Sequence, residues 1–283
     1  MTSPLEFAYT TVLRPRPVRG IVNSALRAIT PRTLKRRGAT IVLNPNDPVI
    51  SGALTLGCYE LQETAFFLKA CRPGVTFLDI GANVGYYTAL ALSKMNGNGR
   101  VIALEPDPES FRYLQATAAA NGGSIAVCVQ KAAARHHGRM TLFTSHDNRG
   151  DNRLYSNELA QGSCEVETAP VDDILKSVGS PTVDLVKMDV QGFEPYVLAG
   201  MHRTIQRSPR MILLTEFWPH GIRSAGADPA QFLTGMERLG FRLYELSKKT
   251  ALAPVLEHSD LIARLKGRRY KNLVGIKGSA HLE

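Results

Sequence analysis

Apolar positions along this chain fall into two spacings that alternate with each other. Short, mostly apolar runs at Val75–Ile80, Val101–Leu104, Ile125–Gln130, Val183–Asp189 and Met211–Phe217 have the length and branching of strands buried on both faces. Between them, apolar residues recur at helical spacing: Leu61–Ala70, then Val84, Tyr87, Thr88, Leu90 and Ala91, then Pro108–Ala120, Tyr196–Ile205 and the segment from Asp228 to Leu239. Asp228-Pro229 reads as an N-cap with proline in the first turn, and Asn121-Gly122-Gly123 and Gly240 read as helix stops. Residues 139–143 and 164–169 alternate as half-buried strands, and Phe241–Leu246 and Asn272–Lys277 read as the last two. Thr40–Leu43 and Val49-Ile50 read as short strands around a turn at Asn44–Pro48, and Trp218–Gly221 as a loop. Strands alternating with helices predict an α/β, doubly wound, mostly parallel sheet, with ligands at the carboxyl ends of its strands.

The first 40 residues depart from this pattern. Arg14, Arg16, Arg19, Arg27, Arg32, Lys35, Arg36 and Arg37 crowd there with Glu6 as the single acid. Val18, Ile21, Val22, Ala25, Leu26 and Ile29 share one helical face, with Arg19, Asn23 and Arg27 elsewhere, and Pro31 ends the pattern. This predicts a basic helical arm over residues 1–40, laid on the core of a domain spanning 41–283. Peripheral contact of that helix with an anionic membrane or a partner is the alternative.

Composition changes this picture little. With 283 residues and 44% apolar content the chain can bury a real core. A net charge of +9 suits an acidic partner, a membrane surface or solubility alone. The basic residues gather at the two ends, including Arg264, Lys266, Arg268, Arg269 and Lys271. No aromatic-interleaved basic stretch lies between them, which argues against a nucleic-acid partner. Cys58, Cys71, Cys128 and Cys164 are too scattered for a zinc or redox motif and read as reduced residues of a cytoplasmic protein. No signal peptide and no membrane-spanning run is expected.

Chemistry enters at Asp79-Ile80-Gly81-Ala82-Asn83-Val84-Gly85. A strand ends, a glycine turn follows and a helix begins, so backbone N–H groups meet a helix N-terminus at one point. Asn83 replaces the middle glycine of the dinucleotide fingerprint. Asp79 is placed to meet a cationic amine, and Glu105, closing the next strand, can accept both hydroxyls of a ribose. That pair fits S-adenosylmethionine better than a dinucleotide. Asp189 and Glu216 end two further strands, so four acids gather at one sheet edge. The small residues after Lys131 leave room for a flat adenine, and Asn148–Tyr155 forms a loop dense in hydrogen-bonding groups.

Together, Asp79–Thr88, Glu105-Pro106, Lys187-Met188-Asp189-Val190-Gln191-Gly192-Phe193-Glu194, Val197–Gly200 and Glu216 resemble the FkbM family of S-adenosylmethionine-dependent methyltransferases over about residues 40–245. Gly57-Cys58-Tyr59-Glu60 resembles the segment preceding that family's first motif, and Gly150–Tyr155 a loop of some members. The resemblance implies a class I methyltransferase (Rossmann-like) fold with seven strands and an antiparallel final hairpin, preceded by the basic helical extension. It implies that Asp79, Gly81, Ala82, Asn83, Gly85 and Tyr86 cradle the methionine part, with Glu105 and Pro106 at the ribose, Ala132 by the adenine and Asp189 beside the methyl group. Gln191 stands where many members carry glutamate, so no catalytic carboxylate is expected there. Asp189, Glu216 and His220 are the candidates for a general base, and Glu60, Asp151, Asn152, Arg153 and Trp218 for acceptor binding. No metal is expected.

The resulting expectation is O-methylation of a sugar, glycan or other hydroxylated metabolite. The rival readings are a nucleic-acid or protein methyltransferase, a non-catalytic cofactor-binding subunit and a nicotinamide oxidoreductase, the last disfavoured by Asp79.

Overall fold

The computed structural model describes residues 16–145, 148–156, 160–247 and 251–279. Helix α1 (Arg16–Ile29) leads into an antiparallel hairpin, β1 (Thr33–Arg36) and β2 (Ala39–Val42), which crosses position 40. Its turn residues Arg37 and Gly38 have φ of 51° and 81°, the left-handed pair that a two-residue hairpin loop requires. Helix α2 (Pro48–Leu56) follows, then α3 (Leu61–Ala70). Val49 and Ile50 therefore lie in a helix and not in the expected strand. Asp47 caps this helix by accepting from Ile50 N at 3.1 Å, and Pro48 fits the first turn, where no N–H is needed.

The strand–helix alternation comes next: β3 (Thr76–Ile80), α4 (Tyr86–Met95), β4 (Arg100–Leu104), α5 (Pro108–Ala120) and β5 (Ala126–Val129). Strands β6 (Ala132–Ala133), β7 (Gly138–Thr144) and β8 (Gly162–Ala169) form a separate small sheet. Then come α6 (Val171–Ser177), β9 (Leu185–Met188), α7 (Glu194–Ala199), α8 (His202–Arg207), β10 (Met211–Phe217), α9 (Pro219–Ser224) and α10 (Pro229–Arg238). The chain closes with β11 (Phe241–Leu246), β12 (Leu252–Pro254), α11 (His258–Arg264) and β13 (Lys271–Lys277).

Two segments differ from their sequence reading. The expected single helix around Tyr196–Ile205 is two short ones, broken after Ala199. There Gly200 passes so close to Ala134 that a Cβ would lie 2.0 Å from the Ala134 carbonyl oxygen. The expected loop at Trp218–Gly221 is the start of α9, with Pro219 in its first turn.

The main sheet has the order β12-β11-β13-β10-β9-β3-β4-β5. Strands β10, β9, β3, β4 and β5 pair in parallel, while β13 is antiparallel to both β10 and β11. Without the edge strand β12, this is the seven-stranded class I methyltransferase arrangement; β12 is an eighth strand added to β11. One face of the sheet buries Val197, Leu198, Ile205, Phe232, Leu233 and Leu261. The opposite face buries Leu54, Phe66, Phe67, Leu90 and Met95. Helices thus cover both sides, which is why the central strands are mostly apolar.

Over residues 23–29 the buried face of helix α1 is narrower than its sequence suggests. Within its last turns Asn23 and Leu26 are buried, whereas Ala25 and Ile29 are exposed. The helix meets α2 at Gly52, where the Leu26 side chain fills the space a Cβ would need. Among the described residues no helix is long and apolar enough to cross a membrane.

Strand order reverses direction between β3 and β9, the switch point at which a doubly wound sheet opens a crevice. Gly81 leaves β3 at φ 80°, and a Cβ there would lie 2.0 Å from the Asp189 carbonyl oxygen. The ends of β3 and β9 can approach this closely only without a side chain. Gly81→Ala is therefore expected to cost at least about 2 kcal/mol, read as a lower urea midpoint at unchanged slope. An unshifted midpoint would mean that the strand ends can separate freely.

Candidate active site

A cavity of about 500 Å³ opens at the carboxyl ends of β3, β4, β9 and β10. Of the residues singled out from sequence, Glu60, Gly81, Asn83, Glu105, Pro106, Ala132, Asp151, Asn152, Arg153, Asp189, Glu216 and Trp218 are on its wall. Asp79, Ala82, Gly85, Tyr86 and His220 are not.

On the β3–β4 side the glycine turn and Glu105 form one hydrogen-bonded unit. Asn83 N donates to Glu105 Oε2 at 2.8 Å, and Asp107 N donates to Oε1 at 2.9 Å. Burial, reinforced by the nearby Asp107, raises the Glu105 pKa to about 8. Asn83 adopts φ 50°, and its Oδ1 accepts from Val84 N at 2.7 Å, so the side-chain oxygen props the loop itself. Asp79 lies behind the loop, 1% exposed, and accepts from Thr88 Oγ1 at 2.7 Å. Its pKa is pushed up to about 6 by burial, against the lowering effect of Thr88. Gly85 caps α4, and Tyr86 turns away to a hydrogen bond with Thr64 at 3.2 Å.

The β9–β10 side is acidic around one buried cation. Lys187, 3% exposed, sits directly opposite Asp79 in the β3–β9 register. Its Nζ lies 3.3 Å from Asp189 Oδ2, 4.0 Å from Glu60 Oε2 and 5.3 Å from the centre of the Tyr87 ring. Burial disfavours its charge, but Asp189, Glu60, Glu216 and Asp79 outweigh that and hold its pKa above the usual lysine range. Asp189 Oδ1 also accepts from Gln191 Nε2 at 2.9 Å, and Glu60 Oε2 from the Tyr87 hydroxyl at 2.5 Å. Glu216 differs from both: its carboxyl has no hydrogen-bond partner among the described residues. Burial, then Asp189 and Glu194, push its pKa well above the carboxylate range. Glu194 in turn accepts from Val190 N and Gly192 N at 3.2 and 3.3 Å, bracing the turn after Asp189.

The third wall is the loop 148–155. Arg149 ties it down, donating to Asp107 Oδ2 at 2.7 Å and to Glu109, while its backbone N donates to the buried Asp47 at 3.3 Å. Arg153 is paired with Asp151, with Nε 3.0 Å from Oδ1, and its guanidinium lies 4.7 Å from the centre of the Trp218 ring. The Tyr155 hydroxyl donates to the Gln191 carbonyl at 2.6 Å, linking this loop to the end of β9. His220 is exposed outside the cavity, its ring 5.6 Å from that of Trp218.

Sequence reasoning gave no individual site role to Lys187, Arg149, Tyr155 or Arg268, although each lies in a stretch it singled out, and it did not reach Tyr270. For Lys187 a signal existed: a lysine inside a fully apolar strand must be paired. Among the described residues no group of three or more acids, histidines and cysteines has the geometry of a metal site.

Removing the Lys187 ammonium strands several acids in low dielectric. Lys187→Met is expected to lose about 3–5 kcal/mol of stability at neutral pH. The loss should shrink toward pH 5, because the acids then take up protons and no longer need the cation. Denaturant titrations at both pH values check this, and an equal loss at each would contradict the electrostatic account.

Residues 79–243, more than half of the chain, match the family described as the methyltransferase FkbM domain. The hexuronic acid methyltransferase AglP of Haloferax volcanii is 27% identical over 128 residues, covering 45% of this chain and 50% of that protein. The 2-O-methyltransferase NoeI of Sinorhizobium fredii is 28% identical over 154 residues, covering 48% and 61%. The chain thus matches between half and about three-fifths of the length of these relatives. The crystal structure of a methyltransferase FkbM from Methylobacillus flagellatus aligns with a TM-score of 0.45 at 15% identity, covering 92% of this chain and 60% of that one. With the matched segment running from the end of β3 into β11, the chain belongs to the FkbM methyltransferase domain family.

Proposed function

We propose that this chain is an S-adenosylmethionine-dependent methyltransferase acting on a hydroxyl of a sugar, glycan or similar hydroxylated metabolite. Family membership supports the reaction type, and the sugar acceptor follows the two relatives, whose names specify a hexuronic acid and a 2-O position. The observation that carries the reading is the placement of Glu60, Asp189 and Glu216 on one wall of the cavity that the glycine turn and Glu105 close on the other.

The wall fits the cofactor. Glu105 offers a carboxyl group, held by two backbone N–H donors, to a ribose diol. Ala132 and Ala133 leave a flat apolar slot, and the acids suit a cationic amine and sulfonium. The bound cofactor would supply a methyl group already activated for in-line displacement, so the protein's work is alignment, exclusion of water and removal of one proton.

The acids divide that work by their hydrogen bonds. Asp189 is engaged by Lys187 and Gln191, and Glu60 by Tyr87, which makes both orienting groups. Glu216 is uncommitted and has the raised proton affinity of a base, so it takes the hydroxyl proton. Lys187 keeps compensating charge beside it throughout. Trp218, 5% exposed and covered by Arg153, shields this end of the cavity.

The test is transfer of a trideuterated methyl group from labelled cofactor, followed by mass spectrometry of glycan, protein and nucleic-acid pools. Label on hydroxylated glycans or metabolites is expected; label confined to protein or nucleic acid would overturn the reading. With an acceptor in hand, Glu216→Gln should lower kcat on the order of a hundredfold while S-adenosylhomocysteine affinity changes little. Because the Glu216 pKa is raised, the wild-type rate should climb with pH as the carboxyl deprotonates, and the variant should lose that rise. A variant with wild-type rate and pH profile would remove Glu216 from the reaction.

A further inference from the structure

The segment 265–270, beyond the matched family region, belongs to the same cavity. Arg268 and Tyr270 are on its wall, just ahead of the β13 residues Lys271 and Asn272 that pair with Phe217 and Glu216. Both ends of the segment are fixed by one acid of β11. Arg264 donates to Glu245 at 3.3 and 2.5 Å, and Lys271 Nζ lies 3.8 Å from Glu245 Oε2. Leu261, fully buried, anchors the helix before it, and Gly267 at φ 65° supplies the left-handed residue at the bend just ahead of Arg268. The loop is therefore held in place before any ligand arrives.

The two basic residues that flank the segment, Arg264 and Lys271, are consumed by that clamp, and the three within it are not. Lys266, Arg268 and Arg269 are exposed and have no acid partner among the described residues. The contrast on the cavity wall is sharper. Lys131 is paired with Glu167 at 3.0 Å, Arg149 with Asp107 at 2.7 Å and Arg153 with Asp151 at 3.0 Å. Of the wall's cations, Arg268 alone lacks such a pair among the described residues. The cavity is thus polarised, with acids at the strand ends and unneutralised positive charge at the rim formed by this loop.

We infer that the rim selects an acceptor carrying an anionic group, a carboxylate or a phosphate, and that Arg268 is its binding residue. This rests on the sugar-hydroxyl reading above. An acceptor with a hydroxyl at one end and an anion at the other is oriented by such a field. Its hydroxyl is driven toward Glu216 and its charge toward Arg268, since the reversed pose sets like charges against each other. A guanidinium also gives a carboxylate or phosphate two parallel hydrogen bonds, which no neutral sugar can match.

Saturation-transfer NMR on the protein loaded with S-adenosylhomocysteine tests this directly, with methyl glucoside, methyl glucuronide and glucose 6-phosphate as probes. One or both charged sugars should bind at least tenfold more tightly than the glucoside, with the margin shrinking as salt rises; the two charged arms separate carboxylate from phosphate recognition. Arg268→Glu should abolish the preference, Arg268→Lys should retain part of it, and both should keep wild-type S-adenosylhomocysteine affinity and melting temperature. Equal binding of neutral and charged probes, or a preference that survives Arg268→Glu, would overturn the inference. Charge-selective binding without methyl transfer to any sugar would leave the inference standing and defeat O-methylation of sugars. Transfer to the glucoside as fast as to its charged counterparts would do the reverse.

Discussion

The site depends on one buried ammonium. Lys187 sits in the middle of the sheet with Asp79 directly across from it and Asp189 and Glu60 within 4.0 Å. Two like charges 4 Å apart repel by about 4 kcal/mol near a protein surface, and a whole domain is stable by only about 5–15 kcal/mol. Four acids at one sheet edge would strain that margin. Lys187 offsets the repulsion, and the acids that stay unpaired respond by holding protons, as the raised pKa of Glu216 indicates. The chain thus keeps acidic groups inside a cavity without unfolding around them.

Backbone geometry decides that these groups meet. The strand order reverses between β3 and β9, and Gly81 lets the two strand ends come together within contact of the Asp189 carbonyl. The same turn carries Asn83 N to Glu105, so the glycine loop, the acid of β4 and the acid of β9 are three consequences of one close approach. Loops then close the sides: Arg149 fastens residues 148–155 to Asp107 and Glu109, and Glu245 fastens the loop before β13.

Much of this was legible in the residues. Strands β3, β4, β9 and β10 are short, mostly apolar runs with an acid one position before or after the last residue, and that pattern leads to the right sheet edge. It does not tell which way each acid faces. Asp79 is spent on Thr88 behind the loop, and the Asn83 side-chain oxygen on Val84. The runs after prolines misled for a local reason. Val49-Ile50 and the residues after Trp218 look extended or irregular by composition, but Asp47-Pro48 and Pro219 start helices there. His220, an obvious base by type, is carried outside by that second helix. Arg268 was read only as part of a basic cluster, and neither it nor Tyr270 could be placed in the site, because the clamp of Arg264 and Lys271 on Glu245 is a tertiary fact with no local spacing.

The claim at the centre of this account is that the cavity holds an S-adenosyl cofactor through Glu105 and the glycine turn. Calorimetric titration with S-adenosylhomocysteine and, separately, with NAD measures it most directly. The account predicts one-to-one binding of S-adenosylhomocysteine, weakened at least tenfold by Glu105→Ala, and no heat from NAD. Binding of NAD with S-adenosylhomocysteine silent would contradict it.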